Sequence, residues 1–223
     1  MAFSTEEEET LDSIKRWWNE SGKSLLIGVI VFAVGYLGWM QWQRMQVDNL
    51  GAASDLYEQI GMTVVVAPGQ TLTEEARATA MGLARQLKDE HPDSVYALYG
   101  ALFGARLAVE ANDLNTAETE LQWLLDNAKT GFMGATDESL IITAKLRLAR
   151  VVLSKGEGQR ALDVLATVTE PGAFEAQVAE VRGDAYVSLN MPVEAEASYQ
   201  AAVAAGSTSQ TLQMKLDDVT VGS

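Results

Sequence analysis

The sequence predicts an all-α protein, with an N-terminal single transmembrane helix followed by a solenoid of short helices packed in repeating pairs. Three observations carry that expectation. Residues 24–43 form an uninterrupted stretch of 20 residues without a charge. Beyond Arg44, helix-length stretches alternate with turn signals, and no run shows the period-2 alternation of a strand. A spaced set of small and large apolar residues then recurs three times along the second half of the chain.

The chain has 223 residues, 48% hydrophobic and 21% charged, enough apolar material for a sizeable core. Its net charge of −15 opposes nucleic-acid binding, which needs a basic surface to meet phosphate. With no cysteine and one histidine, the chain has no disulfide, no thiolate nucleophile and no Cys/His zinc site.

The uncharged stretch takes in all of "KSLLIGVIVFAVGYLGWMQW", Lys23 to Trp42, after its lysine, and ends at Gln43. A 20-residue helix spans about 30 Å, the thickness of a bilayer's hydrocarbon core. No charged or amide side chain interrupts it before Gln41, and tryptophans stand at both ends, Trp17 and Trp18 before it and Trp39 and Trp42 at its close. Such aromatics favour the two membrane interfaces. A cleaved signal peptide is disfavoured: the apolar run is too long, and the small-residue stretch at Gly51-Ala52-Ala53 lies well past Arg44. Lys15, Arg16 and Lys23 crowd the amino side, whereas Arg44 stands alone on the other until Arg77. The positive-inside rule therefore places the amino terminus in the cytoplasm and the larger part of the chain outside. Ahead of the span, Leu11, Ile14 and Trp18 follow i, i+3, i+7 spacing, which predicts a short amphipathic helix ending near Ser21-Gly22. Within the span, Ser24, Gly28, Val31 and Gly35 share one face. Ser24, Gly28 and Gly35 are the candidate contact with another membrane helix, because small residues let two backbones approach.

Past Arg44, "GAASDLYEQIG" continues as helix. "APGQT" breaks it, and Thr73 followed by Glu74-Glu75 starts the next with a capping hydroxyl and acids in its first turn. "HPDS" ends that helix and offers Ser94 as a cap; further breaks fall at "AND", "KTGFMGATDES", "KGEG", "EPG", "NMP" and "AGSTS". The repeat is laid over these helices. Gly183, Ala195, Tyr199 and Ala202 stand at offsets 0, 12, 16 and 19; Ala149, Ala161, Leu165 and Val168 keep the same offsets, as do Ala105, Ala117, Leu121 and Leu124. Turn residues Asn112, Gly156 and Asn190 each fall seven after the first small residue. This is the tetratricopeptide pattern, in which a small residue on each helix of a pair permits close packing. The last two copies are 34 residues apart and the first two 44, which puts ten extra residues in or near "KTGFMGATDES". Helices at 47–65 and 72–90 read as a degenerate first pair. The expected division is 1–23 cytosolic, 24–43 transmembrane, 44–208 tetratricopeptide-like and outside the cytoplasm, and 209–223 a C-terminal tail.

The first helix of each pair lines the inner surface of such a solenoid. The inward positions lie at −6, −3, +1, +4 and +5 from the small residue, and in the first two copies Tyr99, Leu102, Arg106, Val109, Leu146, Arg150 and Leu153 among them form the candidate peptide groove. The third copy presents Gln177, Glu180, Asp184, Val187 and Ser188, which is polar to acidic. The groove lacks the lysine and asparagine set with which some tetratricopeptide domains clamp a terminal carboxylate. An apolar groove with scattered arginines suits extended polypeptide. No catalytic constellation is present: His91 stands alone before Pro92, no G-x-S-x-G, P-loop or dinucleotide motif occurs, and Glu6–Glu9 and Asp217-Asp218 read as solvated charge. The expectation is a protein with no enzymatic activity, no metal and no cofactor.

"IKRWWNESGKSLLIGV" through "GWMQWQ", then "LRLARVVL", "RGDAYVS" and "LQMKLDD", resemble the YfgM family of Gram-negative bacteria over nearly the whole chain. The resemblance implies a single-pass inner-membrane protein with a periplasmic tetratricopeptide domain, an ancillary subunit of the SecYEG translocon. It further implies a partnership with the membrane-anchored chaperone PpiD, transfer of emerging polypeptides to periplasmic chaperones, and a regulatory link to RcsB. A cell-envelope assembly factor or a signalling adaptor of the same architecture stands as the alternative.

Overall fold

The computed structural model describes residues 15–18, 22–65, 71–129 and 136–221. The amphipathic segment expected over Leu11 to Ser21, and the acidic run Glu6–Glu9, lie almost wholly outside the described residues. Among the described residues there is helix and no strand. The elements are α1 (Lys23–Thr63), α2 (Glu74–Glu90), α3 (Val95–Glu110), α4 (Leu114–Asn127), α5 (Glu138–Ser154), α6 (Gly158–Ala166), a 3-10 turn (Gly172–Phe174), α7 (Glu175–Ser188), α8 (Pro192–Ala204) and α9 (Gln210–Val221). They fall into two compact units, Met1–Gly51 and Ala52–Ser223.

In the first unit, α1 leaves its apolar side chains uncovered. Ile27, Ile30, Phe32, Val34, Leu37 and Trp39 are all exposed, and Trp39 stacks at a tilt on Trp42 with ring centroids 5.6 Å apart. From Leu26 onward the helix is long and apolar enough to cross a membrane, and its most apolar window buries nothing inside the chain. A helix so apolar on every side is at home in hydrocarbon rather than water. α1 is continuous over 41 residues, about 60 Å, or twice what a bilayer requires.

The second unit begins with the last turns of α1. Ala53 and Ile60 are fully buried with Ala80, Ala84 and Leu87 of α2 and with Ala97 and Leu107 of α3. Helix starts follow the sequence signals: Thr73, Ser94, Asp113 and Asp137 each accept a backbone N–H in the first turn, at 3.2, 3.1, 3.0 and 2.9 Å. Helix ends repeat one device. Asn112, Gly156, Asn190 and Gly206 take positive φ of 58°, 83°, 59° and 93°. The next N–H in each case reaches back five residues to a carbonyl, Asp113 to Ala108 at 2.8 Å and Met191 to Tyr186 at 2.9 Å. Only asparagine and glycine tolerate that left-handed turn cheaply, which explains their recurrence seven residues after the small one.

The repeat register holds in space. α3 packs on α4, α5 on α6 and α7 on α8. Ala105, Ala117, Leu121 and Leu124, then Ala149, Ala161 and Leu165, then Ala195, Tyr199 and Ala202, are all buried. Ion pairs brace neighbouring helices: Lys88 with Glu120 at 2.6 Å, and Glu118 with Lys155 at 2.6 Å and with Arg160. One expectation needs correction. The tail expected over 209–223 is the helix α9, with Leu212 fully buried against Ala195, Tyr199 and Ala202. Its Lys215 donates to Glu180 and Asp184 of α7, each at 2.8 Å. Asp217 and Asp218 thus ride on a helix, where both stay exposed to solvent as expected.

Candidate functional site

A cleft opens between two first helices, α3 and α5. α5 packs directly on α7, whereas no comparable contact joins α3 to α5. The long α4–α5 connection, whose residues 130–135 lie outside the described residues, falls at this same step of the repeat. The cleft measures about 380 Å³, with Ala105, Leu121 and Val151 in its base and Arg106, Val109, Glu110, Leu114, Arg147, Arg150 and Ser154 around it. A smaller hollow of about 140 Å³ adjoins it, lined by Tyr57, Tyr99, Leu102, Phe103, Arg106 and Arg147. Tyr57 gathers an aromatic cluster there, its ring centroid 5.7 Å from Tyr96 and 5.9 Å from both Tyr99 and Phe103. Arg106 and Arg147 border both spaces, so the two form one strip, aromatic at one end and cationic at the other.

The charges are uneven. Arg106 Nε donates to Glu110 Oε1 at 2.8 Å on the same helix. Among the described residues, neither Arg147 nor Arg150 has a carboxylate partner. Although Arg147 is exposed as a residue, the cleft walls partly withdraw water from its guanidinium. That burial first, and then the charges of Arg106 and Arg150, hold its pKa below the usual arginine range, though the group stays cationic at neutral pH.

Five of the seven groove residues expected from the sequence line this strip, Arg106, Val109 and Arg150 in the larger space and Tyr99 and Leu102 in the smaller. Leu153 is partly buried against the core and lines neither space. Leu146 is a correction: it is 2% exposed and belongs to the core. The face of α5 that borders the cleft is instead Arg147, Arg150, Val151 and Ser154, an i, i+3, i+4, i+7 stripe. Reading the helix one residue round would have found Arg147, which holds the same offset from Ala149 that Phe103 holds from Ala105. Tyr57 comes from the degenerate first pair and carries no repeat signal. In the third copy, Glu180 and Asp184 are engaged in holding Lys215, so α9 takes up the acidic positions there.

Ser24 is exposed, and a Cβ added at Gly28 or Gly35 would meet nothing within 4 Å. Among the described residues no group of three or more His, Cys, Asp or Glu side chains could hold a metal ion.

The tetratricopeptide repeat-like domain family matches residues 15–221 of the chain. An ancillary SecYEG translocon subunit of Haemophilus influenzae is 30% identical over 221 residues, covering 98% of this chain and 100% of its own. Proteins of the same description from Escherichia coli K12 and Neisseria gonorrhoeae are 29% and 30% identical, covering 96% and 98% of this chain and 97% and 100% of theirs.

Proposed function

We propose a function on one established premise: the chain belongs to the tetratricopeptide repeat-like domain family and to the family of ancillary SecYEG translocon subunits. In this reading it is an ancillary subunit of the Sec translocon, held in the bacterial inner membrane by residues 24–43. Its amino terminus is cytoplasmic and its repeat domain periplasmic. The domain receives emerging polypeptide on the α3–α5 strip and passes it to periplasmic chaperones, PpiD among them, by protein–protein contact and without catalysis. The implied link to RcsB rests on the resemblance alone, with no residue here to carry it.

The observation that carries the reading is the full-length match to proteins named as translocon subunits, from the apolar helix to the last repeat helix. Physical chemistry supports it at both ends. An apolar helix with nothing buried on it suits a bilayer, and the basic residues Lys15, Arg16 and Lys23 favour the cytoplasmic side. A half-apolar, half-charged strip on a helical solenoid suits a peptide held by side chains rather than a small molecule held in a closed cavity.

The test is copurification. The tagged full-length chain, extracted from membranes in mild detergent after crosslinking, should bring down SecYEG and PpiD. Recovery of division or outer-membrane assembly proteins in their place would support the cell-envelope assembly alternative and overturn this reading.

A further inference from the structure

We infer that the α3–α5 strip selects acidic segments of polypeptide, with Asp or Glu side chains bound at Arg106, Arg147 and Arg150 and a neighbouring aromatic or aliphatic side chain in the hollow beside Tyr99 and Phe103. This deepens the proposed function and rests on it for the source of the polypeptide.

Charge is the first support. The larger space is bordered by three arginines and one carboxylate, Glu110, and the smaller by two arginines and no carboxylate. That excess of positive charge stands in a chain whose net charge is −15. Elsewhere in the domain, cations that bridge helices are matched by acids: Lys88 by Glu120, Lys155 and Arg160 by Glu118, Lys215 by Glu180. Arg147 and Arg150 stand three apart on one helix, with Arg106 on the facing one. Like charges gathered beside apolar walls repel one another, and an anion between them relieves the repulsion.

Shape is the second. Guanidinium groups donate to carboxylates in a planar, two-point fashion, and clusters of them are a recurrent way of reading acidic motifs. A bare anion would leave the apolar surface of Val109, Leu114 and Tyr99 unused, whereas a peptide covers it. The occupant is therefore a segment with acidic and apolar side chains close together. The site reads side-chain carboxylates, not a chain terminus, so a blocked terminus makes no difference to it.

The experiment uses the full-length chain in uncharged detergent. Two fluorescent peptides with acetylated and amidated ends are compared, one alternating Asp and Glu with Trp and Leu, the other with Asn and Gln in their place. The acidic peptide should bind about tenfold more tightly, with the difference shrinking as salt rises to about 0.5 M. Arg147→Gln and Arg150→Gln should each remove most of that preference with the melting temperature unchanged. Arg85→Gln, an exposed arginine on α2, should leave it intact. Equal binding of the two peptides, no binding of either, or an equal loss with Arg85→Gln would overturn the inference. So would displacement of the peptide by phosphatidylglycerol vesicles at lower concentration than by unlabelled peptide, which would make the strip a lipid site. If acidic preference is absent while the wild-type chain still copurifies with SecYEG, the inference fails and the proposed function stands; loss of copurification by the wild type fails the function itself.

Discussion

Gly183 sits against the face of Tyr199: a Cβ built on Gly183 would lie 2.3 Å from Tyr199 Cε1 and 2.4 Å from Cδ1. Tyr199 has no room to yield, being 2% exposed with its hydroxyl donating to Asp184 Oδ1 at 2.8 Å. The repeat's first small residue is therefore a packing requirement here, set by the large residue 16 positions later. Gly183→Ala should destabilise the domain by about 1–3 kcal/mol. Gly82→Ala is the contrast, because its Cβ would meet open space in the middle of α2, and it should be neutral or stabilising by up to about 1 kcal/mol. Thermal melts followed by circular dichroism read both, and equal effects would mean that the α7–α8 packing is misassigned.

α9 is part of the folded domain: Leu212 enters the core, and Leu216 and Val219 pack part-buried beside it. Leu212 is fully buried beside Tyr199 and Ala202. Leu212→Ala should cost about 2–5 kcal/mol. Loss of less than about 0.5 kcal/mol in a denaturant titration would restore the reading of this segment as a loose tail.

Acid should weaken the α4–α6 brace. Hydrogen bonds from Lys155 and then Arg160 hold the Glu118 carboxyl below the usual glutamate range, against a smaller opposing effect of burial. A carboxyl whose folded pKa is depressed contributes stability that is fully present above its unfolded value, about 4.3, and is lost as pH falls through the lower folded one. Glu118→Gln should therefore lower the melting temperature at pH 7 and converge on the wild type in acid below that range. A gap that stays constant from pH 7 down to about pH 3 would show that the carboxylate charge plays no part.

How much was legible follows from what each signal encodes. The apolar helix, the caps at Thr73 and Ser94 and the turns at Asn112, Gly156 and Asn190 were readable because each depends on local chemistry. The repeat register was readable because Ala105, Ala149 and Gly183 must be small for one and the same reason. The groove was only half readable. Helical offsets assign a direction to within about one residue, which is enough to confuse core Leu146 with cleft-lining Arg147. The cleft itself depends on how far α3 and α5 stand apart, a distance between helices that no local pattern encodes. α9 was missed because its apolar stripe, Leu212, Leu216 and Val219, covers only two turns and stands among polar residues.

Topology follows from the basic residues. Protease added to intact spheroplasts should digest the chain beyond about residue 50 and spare an epitope at the amino terminus. Protection of the repeat domain would reverse the orientation and remove the periplasmic role with it.

The central claim is that the strip between α3 and α5 touches polypeptide leaving the translocon. A photocrosslinking amino acid in place of Val109, which is 45% exposed at the edge of the cleft, tests it in membranes engaged with an arrested secretory chain. The account predicts an adduct with the arrested chain at this position, weakened by Arg147→Gln, and none with the crosslinker in place of Glu75 at the exposed start of α2. An adduct of equal strength at both positions, or none at Val109 while one placed at Gly28 still reaches SecYEG, would contradict it and leave recognition to the membrane helix.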